Sequence, residues 1–421
     1  MKKIVTLAAI SGVFCATNVM AAGFNLREQS VAALGNAFAG ATAGAEDISY
    51  SYWNPAGLTR HKGTQVNLGA TWVAPRSKAK VATANIPTST QNPHITAKTG
   101  DIVDHGLLPT GYMSYQIDDH FTTAIAVNSP FGMTTKYEGF WAGRTHGTTS
   151  KVQTVTVTPT VAYKVHGHEN LSLGAGLQIQ YIKAKLSNSV PAGLNVEDSA
   201  SLEGDTTDVG YTLGALYEFN PSTRVGVGYR SQIKHKLKGQ IDFNGPLAAQ
   251  AQTISARLTT PAILSAGIYH DINDRWAVMG EVSQTYWSSF DELRIKGRKG
   301  LLSVTEENWK DTTFYGVGVN YRVNDQWKLR AGVAFDQGAV GDEYRTPRIP
   351  EADRKWYSLG AEYRYNENLT INAGYTYIRA NDGRVGLRGD HYGDVKGNRG
   401  SLYATYSNDV HIGGIGLNYA F

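Results

Sequence analysis

The 421-residue sequence predicts an all-β fold, a transmembrane antiparallel β-barrel of about fourteen strands with an N-terminal hatch that plugs the lumen. Three observations predict it. The chain starts with a signal peptide, apolar and polar residues alternate with period two from about Gln65 to the end, and the residues between these parts do not alternate. We therefore expect a signal peptide (1–21), a hatch (22–62) and a barrel (63–421).

The first residues have the pattern of a secretory signal peptide. Lys2 and Lys3 precede an apolar run, and Val19-Met20-Ala21 supplies small or tolerated residues for cleavage after Ala21. Cys15, the only cysteine, lies inside this segment and follows Phe14, which does not suit lipoprotein processing. The mature chain is expected to have no thiol, no disulfide and no lipid anchor.

Composition and charge exclude two classes of protein. With 46 Gly, 24 Tyr and a mean hydropathy of -0.31, the chain is too polar for a bundle of membrane helices. The net charge of +4 falls to +2 (4 − 2) once the two signal-peptide lysines are removed. So small a charge does not indicate a nucleic-acid partner.

The strands predicted in the barrel region have one face suited to lipid. Trp327, Leu329 and Val333 are apolar, whereas Lys328 and Arg330 lie between them in the sequence. The same alternation recurs at 315–323, 369–377 and 414–421. A soluble sandwich also alternates, but it does not place aromatic residues at strand ends behind a signal peptide. The terminal Phe421 is the kind of residue through which the barrel assembly machinery recognises such chains.

Tight polar turns alternate with long connections, as in bacterial barrels. The tight turns are 117–121, 219–222, 272–276, 323–327 and 365–369. The long connections are 76–109, 130–151, 187–206, 240–252, 296–308, 337–354 and 380–400. We expect the long connections outside the cell and the tight turns in the periplasm.

The segment 22–62 is rich in Ala and Gly and predicts a helix only around 30–38. Some forty residues form no core of their own, so the lumen is their natural place.

Five motifs along the mature chain resemble those of the FadL family of outer-membrane fatty acid transporters, which also includes importers of aromatic hydrocarbons. They are Ala22-Gly23-Phe24-Asn25-Leu26, Asn54-Pro55-Ala56, Pro130-Phe131-Gly132-Met133 with Thr135 and Tyr137, Trp309-Lys310-Asp311, and Arg348-Ile349-Pro350-Glu351-Ala352-Asp353-Arg354. The resemblance implies a fourteen-stranded barrel with an N-terminal hatch and a kinked third strand that opens the wall.

Gly132 stands where the resemblance places that kink. Pro130 has no N–H for the strand ladder and Gly132 tolerates unusual backbone angles, so strand pairing is expected to be interrupted there. The alternative is a simple loop entry after the strand 121–127.

The resemblance also implies roles for two parts of the hatch. Asn54-Pro55-Ala56 would shift when ligand binds and so open a path, although Asn before Pro also occurs in plain turns. Phe24 would lie against the hydrocarbon tail, or would anchor the hatch as a buried aromatic residue.

A fatty acid needs an apolar cavity and a cation for its carboxylate. The candidate cations are Lys310 and Arg354; the alternative for each, and for Asp311, is an ion pair inside the barrel. The sequence departs from the family at Asn188 and Thr305, near which the carboxylate-binding positions of the fatty acid transporters align. Nearby cations that could replace them are Lys183, Lys185, Arg298 and Lys299. The loops 187–206 and 239–253 are the expected capture groove, and they are short.

No constellation of catalytic residues is recognisable, so we expect no enzyme and no cofactor. His166-Gly167-His168 lies in a predicted tight turn with no third metal ligand nearby, so no metal site is expected.

The favoured function is passive, hatch-gated transport of long-chain fatty acids or similar hydrophobic molecules, with lateral exit through the wall. Alternatives are an uptake channel for aromatic hydrocarbons or alkanes, a general diffusion porin, and a barrel enzyme or adhesin. The expected partners are the hydrophobic molecule, outer-membrane lipid and the assembly machinery, and the chain is expected to be a monomer.

Overall fold

The computed structural model describes residues 23–85, 96–190, 199–388 and 399–421. The predicted signal peptide (1–21) and Ala22 lie outside the described residues. None of the described helices has the length and apolar character needed to cross a membrane.

The described residues form twenty strand segments in one antiparallel sheet. They are β1 (Thr64–Asn85), β2 (Gly106–Gln116), β3 (Phe121–Asn128), β4 (Gly132–Lys136), β5 (Thr149–Lys164), β6 (Leu171–Ser189), β7 (Ser199–Asn220), β8 (Thr223–Arg230), β9 (Ile233–Phe243), β10 (Gln252–Thr260), β11 (Ile263–Asp271), β12 (Trp276–Thr285), β13 (Glu292–Gly297), β14 (Gly300–Glu306), β15 (Thr312–Arg322), β16 (Trp327–Asp336), β17 (Arg354–Arg364), β18 (Leu369–Ala380), β19 (Gly383–Leu387) and β20 (Ser401–Ala420).

Several segments follow one another along a single strand: β3 with β4, β8 with β9, β10 with β11, β12 with β13, β14 with β15, and β18 with β19. The described segments thus form a closed antiparallel barrel of 14 strands. Closure comes from the pairing of β1 with β20, which runs from Gln65 opposite Ala420 to Asn85 opposite Ser401. A closed barrel leaves no unpaired edge in the hydrocarbon, and the predicted all-β antiparallel barrel of fourteen strands is confirmed.

The predicted alternation of faces is also confirmed. Trp327, Leu329 and Val333 are between 43% and 48% exposed on β16, whereas Arg330 is buried on the other face. Large apolar side chains are exposed in the same way on neighbouring strands, as at Val317 and Leu359. The outer face of the sheet therefore suits lipid, and the inner face carries the polar residues.

The tight turns form as predicted because a side chain satisfies their main-chain donors. In the turn between β15 and β16, Asn324 Oδ1 accepts hydrogen bonds from the N–H groups of Gln326 (3.0 Å) and Trp327 (2.8 Å). Asn273 and Asn366 make the same contacts in their turns. These short connections fix antiparallel neighbours.

Residues 23–62 form none of the barrel strands. They contain one helical turn, α1 (Val31–Leu34), and two 3₁₀ helices, Ile48–Tyr52 and Pro55–Arg60; two further 3₁₀ helices, Gly245–Gln250 and Trp287–Ser289, lie in barrel connections. α1 is shorter than the predicted helix at 30–38, because Ala37 and Phe38 have φ of 51° and 60° and leave the helical region. In this segment only Arg60 and Lys62 are exposed.

Candidate ligand-binding site

The N-terminal residues lie in the interruption of the third strand. β3 ends at Asn128, β4 begins at Gly132, and Pro130 between them has no N–H to donate. The main-chain N–H of Leu26 donates to Pro130 O (2.8 Å), and that of Gly132 donates to Phe24 O (2.9 Å). Residues 24–26 thus make the main-chain pairing that the interrupted strand lacks.

The wall beside this point has incomplete pairing. β2 pairs with β3 only as far as Gly111 opposite Val127. Beyond it β4 pairs with β5, and on its other side, among the described residues, it makes only the hydrogen bond from Gly132 to Phe24 and an isolated bridge from Thr135 to Val103. The expected break in strand pairing near Gly132 is therefore present in the described residues.

Phe24 is the centre of an aromatic cluster. Its ring centroid lies 4.9 Å from that of Trp287, 5.8 Å from Phe131 and from Phe290, and 6.1 Å from Trp309. Gly23 precedes it with φ of +62°, and a Cβ there would lie 2.3 Å from the Trp309 ring. Only glycine lets the chain pass this close to the tryptophan.

Phe24 also lines an apolar cavity of about 90 Å³, which we name the inner cavity. Its apolar lining includes Met133, Val152, Leu237, Leu258 and Phe290. Pockets that hold drug-sized ligands are usually about 300 Å³ or larger. The inner cavity as it stands is therefore too narrow for a long alkyl chain while the Phe24 side chain remains in place.

Arg348 and Glu307 are two of the polar residues that line the inner cavity. Arg348 Nη1 donates to Thr149 O (3.0 Å) and to Ser150 Oγ (2.9 Å). Glu307 lies in the connection after β14, and its Oε2 has no hydrogen-bond partner among the described residues. Burial raises the pKa of Glu307 to about 8, so the acid is largely neutral at pH 7.

A second and larger cavity of about 690 Å³ opens towards the long connections; we name it the vestibule. Apolar residues such as Leu186, Val190 and Ile241 line it. Asn188 and Thr305, where the sequence departs from the family, also line it. Its cations are Arg298, Lys299, Arg348 and Arg399, so Arg348 is shared by the two cavities.

The structure separates the two cations that the motifs suggested. Lys310 is exposed, and neither it nor Arg354 lines the inner cavity or the vestibule. Arg354 is buried in an ion pair with Asp336 (2.7 Å). Asp311 Oδ1 accepts a hydrogen bond from the main-chain N–H of Ser288 (2.8 Å). Their ligand-binding role remains a prediction.

Arg348 is the cation that sequence reasoning missed. It is the first residue of the same motif that ends at Arg354. The sequence analysis named Arg354, at the other end of this motif, and did not single out Arg348.

Asn54-Pro55-Ala56 is packed tightly against the barrel wall. Asn54 Nδ2 donates to Thr42 O (2.8 Å) and to Ala215 O (2.9 Å), and Asn54 Oδ1 accepts from Ala56 N (3.0 Å). A Cβ on Gly214 would lie 2.0 Å from Asn54 Oδ1. The turn is thus held by direct contact with the wall, and its gating role remains a prediction.

Ion pairs and arginine contacts hold the middle of the N-terminal segment. Glu46 Oε2 lies 2.6 Å from Arg330 Nη2 and 3.1 Å from Lys328 Nζ on β16. Arg224 Nε donates to Ala43 O (2.9 Å), and Arg230 Nη1 donates to Tyr52 O (3.0 Å). Residues 42–56 are therefore fixed to the barrel by charged groups that would be costly to separate.

One group at the tight-turn end corrects an expectation about metal ligands. The ligand atoms of His120, His166 and Glu169 lie within 4.8 Å of one another, so a third candidate ligand does stand near His166. His166 and Glu169 are exposed, and the group is outside both cavities.

Comparison with known proteins agrees with this architecture. The family model described as outer membrane protein transport protein (OMPP1/FadL/TodX) matches residues 12–421. The chain is 31% identical to the 47 kDa outer membrane protein of Pasteurella multocida, over 99% of this chain and 98% of that protein. It is 28% identical to the long-chain fatty acid transport protein of Salmonella typhi, over 98% of this chain and 97% of that protein.

Solved structures extend the comparison to the fold. A FadL homologue from Pseudomonas aeruginosa has a TM-score of 0.83 at 26% identity and covers 95% of this chain and 100% of its own. The toluene transporter TbuX of Ralstonia pickettii has a TM-score of 0.67 at 19% identity, over 95% and 99% of the two chains, and shows the fold alone. This chain is therefore an outer-membrane β-barrel that belongs to the OMPP1/FadL/TodX family of outer membrane transport proteins.

Proposed function

We propose that the protein carries long-chain fatty acids or similar amphiphiles across the outer membrane by passive diffusion. One observation carries this proposal: an apolar cavity is lined both by a cation, Arg348, and by the aromatic residue Phe24. Burial of an apolar tail in such a cavity lowers the free energy of the bound state. A hydrogen bond from a guanidinium offsets the cost of desolvating a carboxylate.

The route that we propose begins in the vestibule. Its apolar lining and the cations Arg298 and Lys299 suit the capture of an amphiphile from outside. Because Arg348 lines both the vestibule and the inner cavity, a carboxylate can stay on one guanidinium while its tail moves from the first to the second. This route supports transport without any energy source.

The gate that we propose is the hatch, residues 22–62, and within it the part at 24–26. These residues are joined to the third strand by two main-chain hydrogen bonds, whereas residues 42–56 are held by ion pairs and close contacts. In place of the shift of Asn54-Pro55-Ala56 that the resemblance implies, we propose that this turn is the fixed end of the hatch and that residues 24–26 withdraw when ligand enters. The ligand then leaves sideways through the interrupted wall at Gly132.

Two other functions are weighed against this one. The aromatic cluster around Phe24 and the uncharged Asn188 and Thr305 favour a neutral aromatic hydrocarbon or an alkane as substrate. A general diffusion porin needs an open aqueous lumen, whereas residues 23–62 are almost entirely buried.

We further propose that the chain is a monomer and that the barrel assembly machinery recognises Phe421, which is 75% exposed.

Uptake of radiolabelled oleate and toluene by cells that lack their own transporter, with and without this protein, tests the proposal. We expect oleate uptake to rise by about tenfold and glucose permeability to stay unchanged. Uptake of toluene but not oleate would select the hydrocarbon channel. Equal acceleration of glucose would select the porin and end the proposal.

A further inference from the structure

Four lysines stand together on the outer, lipid-facing side of the barrel wall, near its long-connection end. Lys136 is on β4, Lys151 on β5, and Lys183 and Lys185 on β6. They line a groove of about 510 Å³ together with Thr134, Gln153 and Glu203, and we name it the lysine groove. It lies on the other side of the wall from most of the inner cavity, because the residues between these positions, such as Val152 and Ala184, line that cavity; Glu203 borders both.

Strand register places like charges side by side in this groove. Lys151 lies directly opposite Lys185, with Thr134 opposite Lys151 on the other side. Like charges directly opposite one another destabilise a sheet unless an anion lies between them. Glu203 compensates only in part: it lies 2.5 Å from Lys183 and 3.8 Å from Lys185. Lys136 and Lys151 have no acidic partner within 4.0 Å among the described residues.

One buried polar atom points to a ligand independently of the charges. Thr134 is only 5% exposed, and its Oγ1 has no hydrogen-bond partner among the described residues. A buried hydroxyl without a hydrogen-bond partner destabilises the folded state. A ligand oxygen in the groove would accept its hydrogen bond.

The basic surface continues around the barrel. Lys234, Lys236 and Lys238 alternate on β9 with the buried Ile233, His235 and Leu237, and Arg257 on β10 lies opposite Lys236. The groove and this extension hold eight cations against four nearby acids, Asp104, Glu203, Asp205 and Asp242, a net charge of +4 (8 − 4).

The position of the groove along the strands sets its level in the membrane. On the same outward face, Lys183 is followed towards the tight-turn end by Tyr181 and Ile179, both exposed. Two residues of a strand span about 7 Å, so the lysines stand just above the apolar band. That is the level of lipid headgroups in the outer leaflet.

We propose that the lysine groove binds a glycolipid of the outer leaflet through its phosphate groups, with Thr134 donating a hydrogen bond to a phosphate oxygen. A headgroup with two phosphates brings several negative charges and so neutralises the facing lysines, whereas one carboxylate brings a single charge. The occupant is therefore a component of the surrounding membrane and not the transported molecule.

The test is binding of lipid A that carries two phosphates to the purified full-length mature protein, followed by native mass spectrometry. The quadruple variant K136Q/K151Q/K183Q/K185Q should bind this lipid A about tenfold more weakly. A matched control, K78Q/K80Q/K355Q/R379Q, removes four cations from another part of the outer face and should stay within about twofold of the wild type. Lipid A that has lost both phosphates should bind as weakly as the quadruple variant does.

Three outcomes would overturn the proposal: wild-type affinity in the quadruple variant, displacement of lipid A by equimolar oleate, or displacement by equimolar inorganic phosphate. Oleate displacement would assign the groove to the transported amphiphile, and phosphate displacement would mark an unspecific anion site.

The variant Thr134→Val keeps all charges, and its binding of lipid A is measured in the same assay. A loss of about threefold or more is expected, and unchanged binding by this variant would reject the hydroxyl contact. If the quadruple variant does not fold, the single variant Lys151→Gln is used instead. Weaker binding of lipid A by this variant supports the proposal, and wild-type affinity overturns it.

Discussion

Asn25 and Phe131 face each other as an isolated antiparallel bridge, flanked by the hydrogen bonds Leu26 N to Pro130 O and Gly132 N to Phe24 O. Residues 24–26 thereby supply main-chain pairing where the ladder of the third strand is interrupted. Asn25 and Phe131 are a non-hydrogen-bonded pair, since the two hydrogen bonds join the residues on either side of them. The Cα atoms of such a pair lie about 4.5 Å apart. This distance suits a disulfide.

The first prediction is that a disulfide at this bridge stops transport. In the variant Asn25→Cys/Phe131→Cys we expect oxidation to lower oleate uptake to the background level and a reductant to restore it. The only native cysteine, Cys15, lies in the predicted signal peptide, so the new pair has no competing thiol. Each single cysteine variant serves as a control and should not respond to oxidant. Full uptake by the oxidised double variant would remove residues 24–26 from the gate.

The second prediction concerns Arg348. Replacement by Met removes the cation shared by the two cavities and should weaken oleate binding by about 10- to 100-fold, as expected for the loss of a charged hydrogen bond. Binding of a neutral alkane should change by less than about twofold. Tryptophan fluorescence is a suitable measurement, because Trp287 and Trp309 lie against Phe24.

Variants of Lys310 and Arg354 test whether either residue, in place of Arg348, binds the carboxylate of the ligand. Lys310→Met should leave oleate affinity unchanged, since the side chain is exposed and outside both cavities. Arg354→Met should lower stability, because it leaves the buried Asp336 unpaired. A larger loss of oleate affinity in Lys310→Met than in Arg348→Met would restore Lys310 as the carboxylate site.

The strands and tight turns could be predicted from sequence because they depend on local rules. Period-two alternation sets which side of β16 meets lipid, and Asn324 at the turn caps its own backbone. The interruption at Gly132 follows from Pro130 two residues earlier. Each of these inferences needs only neighbouring residues.

The choice of the cation at the cavity could not be predicted in the same way. Arg348 and Arg354 are six residues apart in one motif, but their surroundings differ. Arg354 donates a hydrogen bond to Asp336 on the neighbouring strand β16, whereas Arg348 donates one to Ser150 on β5. The length of α1 depended likewise on a non-local cause, since residues 36–38 leave the helix to pack against the wall at Gly332 and Gly316. Contacts distant in sequence decided both.

The third prediction tests whether the turn at Asn54 is the fixed end of the hatch. A Cβ on Gly228 would lie 1.9 Å from Trp53 O, so Gly228→Ala must displace the turn. Overpacking of this kind costs about 1–3 kcal/mol, so we expect a lower unfolding temperature and larger ion conductance in planar bilayers. Gly413→Ala, where a Cβ would meet nothing within 4 Å, is the matched control. Wild-type conductance in Gly228→Ala would show that the turn does not hold the hatch in place.

The last prediction is that closure of the hatch weakens as pH rises, because of Glu28. This residue is buried, neither of its carboxyl oxygens has a hydrogen-bond partner among the described residues, and burial raises its pKa from 4.5 to about 7 against the opposing effect of Arg354 and Arg27. The folded state therefore holds the proton more tightly than the unfolded state. Its stabilising contribution is complete below about pH 4.5 and is lost as pH rises through about 7. We expect ion conductance in planar bilayers to increase between pH 5 and pH 8, and Glu28→Gln to remain closed over this range. The exposed Glu343→Gln variant should keep the wild-type response, and an unchanged response in Glu28→Gln would assign the pH dependence to another group.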